Sequence, residues 1–287
     1  SMKSSLHNNE FSDEEKMLFS KSSIDYGKTK EEIWASLDLK DDVSSDEPKK
    51  IYIYPMFLRA AAMIVFMFGL GLLARFYEKN INVKLGQLIS YNLPDGSLVH
   101  LNADSQLKYY PIWWWMEREV MLQGEAFFEV KKGSKFSVHS GSYATEVLGT
   151  TFNIFARKSG YEVFCATGKV QVKHFENTSI LNPGDYLKKV GSNKILIEHK
   201  VSKSDVMAWR LGKFNYNTTP ISKVMADVAR HYDIDIQMEM IDSDIYYTGF
   251  FDRAKSADTT LKIICNSLGF SFEKETARKY RIKKIIY

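Results

Sequence analysis

The sequence predicts a mainly β domain, a sandwich or roll, followed by a small α+β domain, with one transmembrane helix and a short helical N-terminal arm ahead of them. Three observations predict it. Short apolar–polar alternations separated by turns recur from Val83 to about Ile197. The period then becomes helical after Pro220 and again after Ser256, and Ile51 to Ala74 form one long apolar run. The boundaries read from these changes are 1–50 for the arm, 51–75 for the membrane helix, 80–200 for the β-rich domain and 205–287 for the last domain.

The arm differs in kind from the rest. Residues 1–50 carry 8 Lys/Arg against 12 Asp/Glu, net −4, whereas the remainder carries 31 against 23, net +8. Over the whole 287 residues, 45% are hydrophobic and 26% charged, which excludes a mostly disordered chain and a polytopic membrane protein. Ser12 with Glu15, and Thr29 with Glu32, are capping boxes that predict two helix starts. The first helix carries Met17, Leu18 and Phe19; the second carries Ile33, Trp34 and Leu37. An isolated helix of about a dozen residues is marginal in water. The arm therefore either lays its apolar stripe in a partner's groove or is a solvated tail.

Ile51 to Ala74 contain a single charge, Arg59. As a helix they would span ~36 Å at ~1.5 Å per residue, enough for a hydrocarbon core of ~30 Å. Fifty polar residues ahead of the run argue against a signal peptide. Lys49, Lys50 and Arg59 before the charge-free stretch, against Arg75, Glu78 and Lys79 after it, predict an N-terminus inside and residues 76–287 outside.

The exported part begins β-rich. Pro94-Asp95-Gly96-Ser97 and Asn182-Pro183-Gly184-Asp185 are turns with a mechanism, since proline presets φ and glycine accepts φ > 0. After Asp205, Thr219 is expected to cap a helix with Pro220 at its first position, and Ile221, Val224, Met225 and Val228 mark its buried face. A second helix starts from Ser256 and stops at Gly269. Strands flank both, giving two βαβ units of weak mutual similarity and an extra last strand.

No nucleophile elbow, phosphate loop, zinc-protease helix or dinucleotide fingerprint is present, so the chain is not expected to be an enzyme that turns over substrate. The six histidines are scattered, and Cys165 and Cys265 lack metal or redox spacing; both read as buried free thiols. No metal and no cofactor are implied, nor direct contact with nucleic acid. Trp113-Trp114-Trp115 are partner-contact candidates: on alternating strand positions at least one of three indoles faces solvent, with core or hairpin packing expected for two.

Several segments together resemble the FecR family of anti-sigma factors, in the longer form common in Bacteroidetes. They are Leu93 to Ser97 with Val99, Leu101, Asn102, Ser105, Leu107 and Tyr110-Pro111; Arg118 to Val130; Val147 to Ile154; Gly168 to Val172; and Leu181 to Asp185. Trp209, Gly212, Phe214, the helix before Tyr232 and Tyr247-Thr248-Gly249 are similar to the family's C-terminal domain. The resemblance implies that the arm binds an extracytoplasmic-function sigma factor in the cytoplasm. It also implies that the last domain, which resembles a transporter signalling domain, meets the periplasmic signalling domain of an outer-membrane TonB-dependent transporter. Such a protein sits in the inner membrane of a Gram-negative bacterium. The arm of about fifty residues is shorter than is usual in the family. Ile33, Trp34 and Leu37 are the candidate sigma-binding anchors, because buried aromatics dominate such interfaces. Some relatives cut themselves at a Gly-Thr bond, which here would be Gly149-Thr150, with the threonine hydroxyl as nucleophile; the other reading is an ordinary strand start. The runner-up function is a membrane-tethered periplasmic module that binds a ligand or the cell wall.

Overall fold

A computed structural model describes residues 13, 14, 17, 27–37, 55–75, 77–191, 194–239 and 244–285. Asp13, Glu14 and Met17 are helical, while Ser12, Glu15, Leu18 and Phe19, on which the first arm helix was read, lie outside the described residues. Helix α1 spans Lys30–Ser36. Its capping box forms as the spacing predicts: Glu32 N donates to Thr29 Oγ1 (3.4 Å) and Thr29 N donates to Glu32 Oε2 (2.9 Å). Helix α2 spans Pro55–Arg75, and the large apolar side chains described on it, among them Phe57, Ile64, Phe66 and Phe68, are exposed. Among the described residues no helix is long and apolar enough to cross a membrane; the side chains described on α2 run over residues 56–72.

The β domain holds thirteen strands: β1 Lys79–Val83, β2 Ile89–Asn92, β3 Leu98–Leu101, β4 Ser105–Tyr109, β5 Arg118–Glu129, β6 Phe136–Ser140, β7 Tyr143–Val147, β8 Thr151–Arg157, β9 Gly160–Thr167, β10 Val170–His174, β11 Asn177–Leu181, β12 Tyr186–Val190 and β13 Lys194–Glu198. They form one curled sheet with two wings that share β5. The first half of β5 pairs with β4 antiparallel and β6 parallel; the second half pairs with β3 and β8, both antiparallel. Beyond β6 one wing continues through β7, β10 and β11, and beyond β8 the other continues through β9, β12 and β13. The strand changes wings at Gly124, where φ is +109° and an added Cβ would lie 2.6 Å from Ser105 Cα. Only glycine fits this close approach of two backbones.

The core lies between the wings. Inward positions alternate along the strands, as in β4 and β10, which is why period-two reading found them. Phe128 stacks on Phe152 with ring centroids 5.0 Å apart. Trp114 packs edge-on against Tyr109 at 5.3 Å and Phe136 at 6.0 Å. The three tryptophans are not on a strand: Pro111–Trp113 form a 3-10 turn, because Pro111 at its start lacks a donor for the ladder and presets the turn. Trp113 is half-buried, Trp114 buried and Trp115 80% exposed.

After a helical turn at Lys203–Val206 and a 3-10 turn at Ala208–Leu211, the last domain runs β14 Lys213–Pro220, α3 Ile221–Tyr232, β15 Asp235–Glu239, β16 Tyr246–Asp252, α4 Ala257–Leu268, β17 Phe270–Thr276 and β18 Lys279–Lys284. Its two βαβ units interlock. β14 pairs with β16 antiparallel, while β18 pairs with β15 parallel and β17 antiparallel. Ile221, Val224, Met225 and Val228 of α3 meet Leu261, Ile264 and Cys265 of α4 in a separate core. Ser256 caps α4 by accepting from Thr259 N, and Gly269 ends it with φ +67°, as expected. The start of α3 differs. Thr219 and Pro220 still pair with Tyr247 and Tyr246 of β16, so Pro220 becomes the cap residue and Thr219 makes no cap bond. Cys165 and Cys265 are free and buried in different cores, where burial pushes their thiols up to about 11 and about 12.

Candidate functional site

The three arm residues singled out by sequence fall on or at the end of α1. Ile33, Trp34 and Leu37 are 40%, 61% and 50% exposed, and no residue of α1 is buried. Leu37 N donates to Ile33 O (3.1 Å), which closes the helix and holds the two aliphatic side chains one turn apart. Glu31 and Glu32 sit in the first turn, where carboxylates suit the helix dipole. The arrangement is an apolar patch on a capped acidic helix.

A second polar assembly joins the β domain to the last domain. Arg210, in the connecting 3-10 turn, stacks over Phe127 at 4.0 Å and donates to Glu129 Oε1 (3.0 Å), with His100 Nε2 2.8 Å away. Burial and the Arg210 charge hold the His100 pKa below its ordinary value, despite Glu129. Phe127, Met207 and Trp209 form a small apolar cluster beneath. On α3, Lys223 donates to both carboxylate oxygens of Glu162 on β9 (2.6 and 2.7 Å), and Tyr186 on β12 donates to the same carboxylate. Gly86 N, in the β1–β2 turn, donates to Arg230 O (2.8 Å) at the far end of α3.

Glu125 lies half-buried beside this junction. It accepts from Asn102 Nδ2 (2.7 Å) and Asn153 Nδ2 (3.1 Å). Burial, with the Asp227 charge adding to it, pushes its carboxyl above the usual range against the opposing pull of Arg157 and the two amides. Helix α3 thus has two working sides: its apolar side closes its own core, and Lys223 and the Arg230 carbonyl hold the β domain. Contacts of this polar kind are typical of domains that can separate.

The family pattern for FecR protein matches residues 79–171, and that for FecR, C-terminal matches residues 213–282. Two crystal structures of a candidate anti-sigma factor from Parabacteroides distasonis ATCC 8503, at 2.50 and 1.65 Å, are similar to the chain. Both give a TM-score of 0.68, with 31% and 32% identity, and the matches cover 73% and 72% of this chain and 100% of theirs. The chain belongs to the FecR family of anti-sigma factors. Among curated proteins nothing matches it.

The segments by which the FecR domain was recognisable are mostly structural. In the Leu93–Ser97 turn, Asp95 Oδ1 accepts from Ser97 N (2.9 Å) and Oδ2 from Ser97 Oγ (2.7 Å). Arg118, at the start of β5, pairs with the same carboxylate through Nε (2.9 Å) and Nη2, and reaches the carbonyls of Lys131 (3.0 Å) and Ser134 (2.7 Å). Burial raises the Asp95 carboxyl, but the bonds from Ser97 and Arg118 outweigh it and leave its pKa lowered.

Gly149 and Thr150 stand immediately before β8. Gly149 has φ +148°, and an added Cβ would lie 2.7 Å from Lys132 Cα. Thr150 is buried, and its Oγ1 donates to Lys169 O (3.0 Å). Gly168 packs on the same hydroxyl, since a Cβ there would lie 2.8 Å from it. Among the described residues, this hydroxyl bonds to a carbonyl, which orients it but is too weak a base to deprotonate it. The geometry favours a close-packed strand start. Intact-mass analysis of the purified full chain is therefore expected to give one species; a fragment beginning at Thr150 that vanishes in Thr150→Ala would overturn this.

Sequence reasoning missed the junction. Glu162, Lys223 and Arg210 meet their partners only across long stretches of sequence, 61 residues between Lys223 and Glu162 and 110 between Arg210 and His100. No local spacing announces such pairs.

Proposed function

We propose that this FecR-family chain holds an extracytoplasmic-function sigma factor through its N-terminal arm and receives its signal through the two folded domains. The carrying observation is α1: a capped helix whose Ile33, Trp34 and Leu37 have no core of their own and present 40–61% of their surface. A sigma-factor groove would supply that core by the helix-in-groove mode. The apolar run from Ile51 to Ala74, helical over Pro55–Arg75, crosses the inner membrane of a Gram-negative cell, leaving the arm in the cytoplasm and the FecR domain in the periplasm. The exposed apolar side chains of α2 support this reading, since lipid is the solvent that suits them. The last domain meets the signalling domain of a TonB-dependent transporter; its Tyr246 and Phe250, on one face of β16, are exposed aromatics of the kind interfaces use.

The test is binding of the full chain, in detergent, to the extracytoplasmic-function sigma factors of its own organism. Trp34→Ala is expected to weaken binding about thirtyfold, the loss of a hot-spot aromatic worth ~2 kcal/mol, while the thermal midpoint of the folded domains stays put because α1 buries nothing in them. Unchanged affinity in Trp34→Ala and in Ile33→Ala/Leu37→Ala would remove the arm from the mechanism and favour the tethered ligand-binding module.

A further inference from the structure

Between the β domain and the last domain lies a crevice of about 240 Å³. Its rim carries the exposed residues Glu198, Lys213 and Asn217, and its lining includes the buried residues Asn153, Trp209, Tyr216 and Arg253. Those four are 3%, 5%, 6% and 8% exposed. Among the described residues each has a polar atom with no hydrogen-bond partner: Arg253 Nε and Nη1, Trp209 Nε1, Tyr216 Oη and Asn153 Oδ1. Buried polar groups are almost always satisfied, and an unpaired buried cation is costly. A crevice collecting donors from three different segments is built around something that accepts.

Arg253 is also held in place. Its N donates to Gly212 O (2.8 Å), its carbonyl accepts from Tyr232 Oη (3.1 Å), and its guanidinium lies 4.4 Å from the Phe214 ring centroid. Of the five acids that line the crevice, Glu162 is engaged by Lys223 and Tyr186, Asp227 by Arg230, Glu125 by Asn102 and Asn153, and Asp205 by Asn215, while Glu198 stands exposed on the rim. Among the described residues that line the crevice, Arg253 is the buried cation with no salt bridge. These five acids would repel a dianion such as phosphate more strongly than a singly charged ligand, and Asn153 Oδ1 asks for a donor on the ligand. The volume holds several waters at roughly 30 Å³ each, or one small organic acid.

We propose that this crevice is a binding site for a small monocarboxylate bearing a hydroxyl or amino group, its carboxylate on Arg253, Tyr216 and Trp209 and its donor on Asn153. Because Asn153 belongs to the FecR domain and Tyr216 and Arg253 to the last domain, an occupied site joins the two, and an empty one leaves the junction to Arg210, Lys223 and the Gly86–Arg230 backbone bond. The proposal does not depend on which partner the arm or the last domain meets.

The test uses the full chain in detergent and follows its thermal midpoint as sodium chloride is replaced by sodium glycolate, acetate or phosphate at constant ionic strength and pH. A ligand of the native state raises the midpoint with the logarithm of its concentration. Glycolate is expected to raise it most, acetate less, and phosphate no more than chloride. Tyr216→Phe, which keeps the ring, is expected to weaken glycolate about tenfold, the loss of one bond to a charged group, and Arg253→Gln to abolish the response. Equal midpoints in glycolate and chloride would mean that the crevice holds water only, and an undiminished glycolate response in Arg253→Gln would place binding elsewhere; either overturns the proposal. Should Arg253→Gln fail to fold, line broadening of carbon-13 glycolate on addition of wild-type or Tyr216→Phe protein decides the same question.

Discussion

Gly124→Ala is expected to destabilise the β domain by about 3 kcal/mol or more, enough to lower its thermal midpoint by several degrees. The cause is local. β5 leaves one wing and enters the other at this residue, with φ +109° and Ser105 pressed against it: a methyl group would clash with Ser105 Oγ and lie 2.6 Å from Ser105 Cα. Ser105 cannot step aside, because its Oγ accepts from Glu125 N (2.9 Å) and donates to Glu125 O (3.2 Å), tying β4 to the strand at its bend. Gly141→Ala is the control. It also has positive φ, +59°, but open space around it, so only the backbone cost of about 1 kcal/mol applies. Denaturant unfolding followed by tryptophan fluorescence measures both, and equal losses for the two would show that the crossing is not what requires glycine at 124.

Arg118→Met is the second large effect, and it carries a pH signature. Removing the guanidinium leaves the Asp95 carboxylate without its ion pair and the carbonyls of Lys131 and Ser134 without a donor, a loss of about 3–5 kcal/mol at neutral pH for a partner of a buried pair. Because the folded pKa of Asp95 is lowered, the stability it supplies is fully present above its unfolded value near ~3.9 and is lost as pH falls through the lower folded value. Wild type and Arg118→Met should therefore differ most at pH 6 to 7, begin to converge below about pH 4, and meet only once the pH is below the lowered folded pKa of Asp95, where both bury a neutral carboxyl. A gap that stays constant down to acid pH would show that the cost comes from packing against Phe136, over which the guanidinium lies at 5.5 Å, and not from the charge.

How much was legible follows from where the information sits. Alternation placed strands such as β3, β4, β7 and β10 because one face of each is buried, and the Thr29 and Ser256 caps marked their helices because capping is a contact between neighbours in sequence. The Thr219–Pro220 start was read one residue early because pairing to β16 competes for the same backbone, a tertiary effect. The tryptophans were read as strand positions because three large apolar residues fit either a strand or a turn, and only Pro111 argued for the turn. The sharing of β5 by both wings had a single local trace, Gly124 inside an otherwise regular run. At the candidate sites, the arm residues stood out as a stripe on a capped helix, whereas the junction and its crevice are assembled from β5, β8, β9, α3 and the segment after β16, and no stretch of sequence contains enough of either to reveal it.

One consequence of the β5 strand concerns load. It is a single strand of 12 residues, roughly 40 Å long at ~3.3 Å per residue, and its two ends serve different neighbours. Arg118 anchors the first end to the Asp95 turn, and Glu129 at the last end takes the Arg210 guanidinium from the segment leading to the last domain. The strand is a tie rod. A pull on the last domain through Arg210 enters along the rod's axis and is carried as shear by ladders on both sides at once, so the FecR domain would transmit tension without unzipping while the side-chain clasp at its tip gives way first.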